Sequence, residues 1–450
     1  MTLRPLPPTT PKLIILIHAS GGNGNNDFCM KKLFKAASLI SAGATLLSTV
    51  TAVAAEGSKV WTVSAGVRGF YDDNIFTAND KFDLDGDGTA DKRKFDSFGF
   101  EVTPGFRINV PLEKTTLSAG YTYGLRYFES RPGTKYDQFH IADLSLNHTF
   151  SPRYKVSLFD QLAIAQEPEQ LAPVSGTSGT ANQLVRAEGN NVRNSAGVDF
   201  TIELTPLWSL VLGYRNNYFN YDFEGFANAL DRMENLPSLS LRYQLTPKTV
   251  VGGNYQYGDL NYDKASYRDN RSHYLFGSVD HSFSSQLVGS IRAGAQVIDW
   301  YNAPVGARED AVNPFVDVSA TYAYAPGSSA QLGFRHARNA TDLDDVQSVL
   351  NSVLDQQSSL VYASLNHQIT GKLRGSLIAQ YQNSEFIGVV KNNPNDGRGE
   401  DYLSMGFTLS YRFTNYLSGE AAYYYDRLAS DVDFRDYSRN RVFIGIRATY

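Results

Sequence analysis

A two-residue alternation of apolar and polar side chains recurs along most of this chain and limits what it can fold into. The clearest run sets Phe98, Phe100, Val102, Pro104, Phe106, Ile108 and Val110 against Gly99, Glu101, Thr103, Gly105, Arg107 and Asn109. Another sets Leu117, Ala119, Tyr121, Tyr123, Leu125 and Tyr127 against Ser118, Gly120, Thr122, Gly124 and Arg126. The same pattern holds from Ser195 to Leu204, from Leu403 to Phe413 and from Val442 to Tyr450. Successive side chains of a strand point to opposite faces, so each run is a strand with one greasy and one wet face. The runs span 9–13 residues, the length a tilted strand needs to cross a bilayer. A soluble sandwich would show shorter strands and an apolar interior, whereas here the second face carries charge in run after run.

Composition separates two membrane classes. Mean hydropathy is −0.31, and no stretch after Val53 approaches the ~18 apolar residues of a spanning helix. Tyr (28) nearly matches Phe (26) and both far exceed Trp (3), which suits strands alternating between lipid and water. The connections also alternate. Short turns rich in Pro, Gly and Ser fall at 111–114, 151–153, 205–207, 246–248, 284–286, 325–328, 370–372 and 414–416. Long polar loops lie between them, among them 72–96, 166–191, 222–231, 299–311, 341–356 and 385–400. The expectation is an all-β, transmembrane up-and-down antiparallel β-barrel with short periplasmic turns and long extracellular loops. Eight turns and nine loops make eighteen strands, with sixteen the alternative. The terminal alternation closing on Tyr450 resembles the signal by which bacterial outer-membrane barrels are recognised, which implies the barrel-assembly machinery and outer-membrane lipid as partners.

The N-terminal part divides in two. Met30-Lys31-Lys32 opens a basic segment, Leu33 to Val53 is mostly small and apolar, and Ala52-Val53-Ala54 offers a small-x-small cleavage site. That is the pattern of a secretory signal peptide at 30–55. Residues 1–29 are read as an upstream extension, with Met30 the initiator and the barrel occupying 56–450. The single cysteine, Cys29, falls in the extension and lacks a lipoprotein context, so no disulfide framework is expected. After residue 55 there remain 36 basic and 45 acidic side chains, a formal charge of −9 that speaks against nucleic-acid binding.

A hairpin repeat supports the barrel. LNHTFS (Leu146–Ser151), LRYQLT (Leu241–Thr246), VDHSFS (Val279–Ser284), LNHQIT (Leu365–Thr370) and LSYRFT (Leu409–Thr414) share an aliphatic residue, His or Tyr two on, and Ser or Thr before a turn. The pattern places His148, His281 and His367 on the outward face near the periplasmic interface, where amphipathic rings sit. Shared parity therefore reads them as belt residues rather than as a metal or catalytic set. Towards the outer side only His140, His273 and His336 remain, none with a nucleophile at readable spacing, so no enzyme is expected.

One stretch has ligand character. Asp83-Leu84-Asp85-Gly86-Asp87-Gly88-Thr89-Ala90-Asp91 puts carboxylates at positions 1, 3, 5 and 9, a Gly at 6 and the Thr89 carbonyl at 7. Position 12 is Lys94 rather than the bidentate Glu of an EF-hand, and no flanking helices are evident. The set Asp83, Asp85, Asp87, Thr89 and Asp91 resembles the shorter calcium loops of dockerin-type repeats. It is expected to hold Ca²⁺ weakly, the alternative being an acidic turn.

At the top of the first strand the chain reads Gly69-Phe70-Tyr71-Asp72-Asp73-Asn74-Ile75-Phe76. This YDDNIF stretch, following inward Arg68, resembles the opening of a family of outer-membrane β-barrel porins. Some of its members accompany exopolysaccharide operons and are called EpsL-like. The resemblance covers roughly 60–450 and is loose beyond the motif. It implies a Gram-negative outer-membrane barrel with porin or polysaccharide-export roles and supplies no catalytic residues.

The polar faces give the expected lining. Inward cations are Arg68, Arg107, Arg126, Lys155, Arg215, Arg242, Arg292, Arg335, Arg374, Arg412, Arg441 and Arg447. Inward anions are Glu101, Asp143, Asp199, Glu203, Asp280, Asp317, Glu420 and Asp426. Such a ladder can track a carboxylate- or phosphate-bearing solute by paired hydrogen bonds. The same charges can instead pair across strands and simply keep the wall wet. The leading expectation is a pore for small anionic or sugar solutes or for polysaccharide. The alternative is a non-transporting surface barrel acting through its long loops.

Overall fold

The computed structural model describes residues 59–79, 94–165, 190–343, 349–391, 393–432 and 435–450. The chain divides into two compact units, Met1–Leu39 and Ile40–Tyr450, and every described residue belongs to the second. The expected extension and signal peptide lie outside the described residues.

Eighteen antiparallel strands form one closed sheet. They run β1 (Trp61–Asp72), β2 (Ser97–Pro111), β3 (Thr115–Phe128), β4 (Tyr136–Ser151), β5 (Tyr154–Ala165), β6 (Asn191–Glu203), β7 (Trp208–Tyr221), β8 (Arg232–Thr246) and β9 (Thr249–Tyr262). The second half is β10 (Asn270–Ser282), β11 (Leu287–Asp299), β12 (Asp310–Ala325), β13 (Ser328–Asn339), β14 (Val353–Gln368), β15 (Leu373–Gly388), β16 (Gly399–Arg412), β17 (Leu417–Ser430) and β18 (Tyr437–Thr449). Each strand pairs with its sequence neighbours, and β18 pairs with β1 from Ser64↔Thr449 to Asp72↔Arg441. Closure leaves no edge strand, which in lipid is the only way a sheet can satisfy its backbone.

The repeat pattern has a local cause at the turns. In the turns after Ser284, Thr370 and Thr414, the hydroxyl that ends the repeat accepts two backbone N–H groups from the turn itself. Thr205 does the same for Leu207 and Trp208. A Ser or Thr at this position closes a tight turn that the flanking strands then propagate.

The outer wall is apolar between two polar girdles. Phe98, Phe100, Val279, Ile291, Leu332, Phe407 and Ile444 are all exposed on it. Near the turns, His148 and His281 bond Thr115 and Thr249 and stack edge-on against Phe150 and Phe283, while His367 bonds Tyr324. The terminal Tyr450 joins this girdle beside Trp61 and Tyr416, under the ammonium of Lys59. Towards the loops a second girdle repeats one geometry five times. Tyr121, Tyr214, Tyr255, Tyr381 and Tyr423 pair through their hydroxyls with His140, Asn235, His273, Asp401 and Asn440, at 2.6–2.8 Å. In every case the partner lies two residues from the tyrosine's register mate. From Phe150 to His140 is ten steps along β4; at about 3.4 Å each and ~40° tilt that is about 26 Å, the height of a transmembrane barrel's apolar band.

The YDDNIF stretch clasps the seam between first and last strands. Asp72 holds the Arg439 guanidinium by Nε at 3.0 and 3.1 Å and also accepts the Asn74 N–H. Asp73 accepts the backbone N–H and the side-chain amide of Asn440. Asn74, fully buried, donates to the Ser438 carbonyl, and Ile75 packs with Phe70, Phe128, Ala422 and Phe443. The motif is thus the fastening of the barrel rather than a ligand site.

Inside the wall, four glycines face aromatic rings directly across the ladder: Gly99 and Phe70, Gly124 and Phe139, Gly294 and Phe276, Gly333 and Tyr362. The space a Cβ would need at each is taken by the opposing aromatic residue or by backbone beside it.

Candidate lumen and its loop-end mouth

Register decides which side chains face the interior. Register puts the twelve cations and eight anions of the expected lining on one face of the sheet, opposite the apolar outer wall. Sequence reading missed Asp72, Asp137, Arg193, Arg232, Glu234, Glu400 and Arg439, also at inward positions. They sit at strand tops, where the alternation dissolves into loop and parity alone has no anchor.

The two halves of the interior differ. Near the turns the charged side chains stand in water: Arg107 makes a bidentate pair with Asp143 at 2.7–2.8 Å while 46% exposed, and Lys155 meets Glu203 at 3.2 Å while 48% exposed. Towards the loops they are packed. Glu101, fully buried, bridges Arg68 at 2.8 Å and Arg126 at 2.9 Å, and Arg68 also reaches Glu420 at 3.4 Å. Asp426 is equally buried, bonded to Arg441 at 2.7 Å and to the hydroxyls of Tyr402 and Ser404. Pairing across strands is therefore realised over this part of the wall. On the other side the arrangement is different. Arg215 is attracted by Asp199 and lies within electrostatic reach of Arg292 and Arg335, and Asp199 lies also within reach of Arg242. Arg292 has Asp280 only at 3.8 Å. Guanidinium groups from β7, β11 and β13 thus share one region of the interior, with Asp317 in register between Arg292 and Arg335, and such groups suit carboxylate or phosphate oxygens. Arg374, Arg412 and Arg447 line the turn half; Arg412 donates to the Gly371 carbonyl, and Arg447 has Thr103 at 3.5 Å.

The long loops knit together at the loop end. Arg268, fully buried in the β9–β10 connection, donates to the carbonyls of Ala229 (3.1 Å), Thr341 (2.8 Å) and Leu354 (3.4 Å) and lies over the Tyr262 ring. Ala229 belongs to a short helix, α1 (Glu224–Leu230). Arg338 pairs with Asp355 at 2.9 Å and lies over Trp300, which packs with Ile298, Leu354 and Val389. Arg308 reaches Asp396 at 2.8 Å. Arg435 joins Asp342 at 3.0 Å to Glu400 at 2.9 Å; burial works against its charge, but the two carboxylates outweigh burial and push its pKa up. Sequence reading had these loops only as polar connections, because residues that meet here are up to about 90 positions apart in the chain.

The expected calcium residues Asp83, Asp85, Asp87, Thr89 and Asp91 lie outside the described residues. Of the outer-side histidines, His140 and His273 serve the tyrosine girdle, and His336 bonds Ser359 at 2.9 Å on the outward face beside Gln357. Among the described residues no carboxylate contact completes that pair.

Residues 347–450 match the family model described as "Putative beta-barrel porin 2". The match begins just before β14 and takes in the last five strands. Among solved structures the chain is similar to OccAB4 of Acinetobacter baumannii (13% identity, 87% of this chain and 99% of that one, TM-score 0.40). It is similar also to OpdQ of Pseudomonas aeruginosa (12%, 87% and 98%, TM-score 0.42) and to the ferric enterobactin receptor PfeA of that organism (10%, 88% and 82%, TM-score 0.45). At these values the likeness carries no argument; the barrel stands on the chain's own register. No curated protein matches the chain.

Proposed function

We propose that this chain is a channel of a Gram-negative outer membrane that admits small anionic or acidic-sugar solutes, with exopolysaccharide export the finer form of that role. The neighbourhood of Arg215, Arg292 and Arg335 in the interior carries the reading, because guanidinium groups within reach of one another offer paired donors to carboxylate or phosphate oxygens, even with Asp199, Asp280 and Asp317 among them. The exposed charges of the turn half supply a wet vestibule to that level, and the match of residues 347–450 to a porin family supports it. The lining favours anions while acidic loops repel them at the mouth. Mouth charges in open water are screened over ~8 Å at physiological salt, whereas wall charges act at closer range.

The test is the reversal potential across a KCl gradient in planar bilayers. Anion preference should fall when Arg292 and Arg335 are replaced together by Gln. Cation selectivity unchanged by the substitution would reject the lining role. A second reading, a surface barrel acting through its loops, is favoured by the packing of the loop half, where Glu101, Asp426, Arg268 and Trp300 are shut from water. It predicts no conductance from any form of the protein.

A further inference from the structure

The loops meet where an open rim would keep them apart. Eighteen strands at ~4.8 Å spacing and ~40° tilt give a barrel radius of about 18 Å. On such a rim the β7–β8 and β13–β14 connections spring from points about 30 Å apart. Yet the carbonyls of Ala229, from the first, and Thr341, from the second, are held by the two terminal nitrogens of one guanidinium, that of Arg268. The loops therefore cross the interior to meet. Two further observations place the crossing inside the wall. Arg268 lies over Tyr262, whose register partner Arg232 is an inward residue of β8. The backbone N–H of Arg338, beyond the last β12–β13 pair, donates to the inward side chain of Gln296 on β11.

We propose that these loops form a closed gate over the loop end of the channel, latched by Arg268 and Arg435, and that transport requires the latch to release. The gate rests on the channel reading above. Its two latches differ in kind. Arg268 ties backbone to backbone, so its loss leaves three carbonyls without their donor. Arg435, from the β17–β18 connection, ties together two carboxylates, Asp342 after β13 and Glu400 at the start of β16, adding to the hydrogen bonds that Asn393 and Asn395 make to the β13–β14 connection. Neither tie is part of the strand ladder, so the barrel wall can persist while the gate opens. Loops latched by polar contacts of this type open at lower free energy than the strands beneath them.

The experiment is single-channel recording from refolded protein, with band-shift on heating as the check that each variant is a folded barrel. Arg435→Gln and, separately, Arg268→Ala should open more often than the parent, by roughly tenfold or more for a two-state gate losing one latch. In the opposite direction, Ala229→Cys/Thr341→Cys joined by a short, reducible bis-thiol reagent should hold the channel shut until reductant is added; the chain after Cys29 has no other thiol. A parent that conducts fully, with the verified cross-link leaving conductance unchanged, overturns the gate and leaves the channel standing. Folded variants none of which conducts, opened or not, overturn the channel reading and the gate with it.

Discussion

Asp72→Ala should destabilise this barrel more than removal of any exposed charge in its lining. The Asp72 and Arg439 side chains are 3% and 1% exposed, and the guanidinium engages both carboxylate oxygens. Truncating one partner of a buried pair strands the other charge and costs about 3–5 kcal/mol. No discount for solvent applies here, and the Asn74 N–H loses its acceptor as well. Glu203→Gln is the matched control, since its pair with Lys155 stands in water and is worth about 0–1 kcal/mol. Replacing both partners, as Asp72→Leu with Arg439→Met, should recover most of the loss, because an apolar pair removes the stranded charge. The assay is reversible urea unfolding in lipid vesicles, followed by tryptophan fluorescence, with Trp61 near the β1–β18 seam as a local probe. An Asp72→Ala protein within about 1 kcal/mol of the parent would refute the clasp. So would a double variant no better than the single one.

Two further outcomes are expected. Gly333→Val should cost about 1–3 kcal/mol, because its Cβ would enter the Tyr362 ring. Gly253→Val, on a surface with nothing within 4 Å, should be within about 0.5 kcal/mol of neutral by the same unfolding assay. Calorimetric titration should show Ca²⁺ binding in the ~10⁻⁴–10⁻³ M range that is lost in Asp85→Ala, identical traces counting against a site in that loop.

Much of the wall was legible in the residues. Alternation is a local property, since a strand's side chains change face at every step whatever lies beside them. Reading it across Phe98–Val110 or Leu403–Phe413 therefore set both faces without knowledge of the neighbours. Strand number followed from turn spacing, and the Ser or Thr closing each repeat proved to be a hydrogen-bond acceptor of its own turn. The family-like YDDNIF motif was visible but its work was not, because Asp72 and Arg439 are 367 positions apart.

The sequence by itself determined the barrel class, favoured eighteen strands over sixteen, and set the alternating faces of the mid-strand runs and the outward parity of His148, His281 and His367. These depend on period, length and turn chemistry, all of them short-range. Only the tertiary structure decided which inward charges neutralise each other, which guanidiniums lie within reach of one another, and which long loops are tied together. Each of these depends on which strands face one another across a closed sheet and on contacts such as Arg268 with Ala229, Thr341 and Leu354. Alternation says which way a side chain points, but not what stands opposite it.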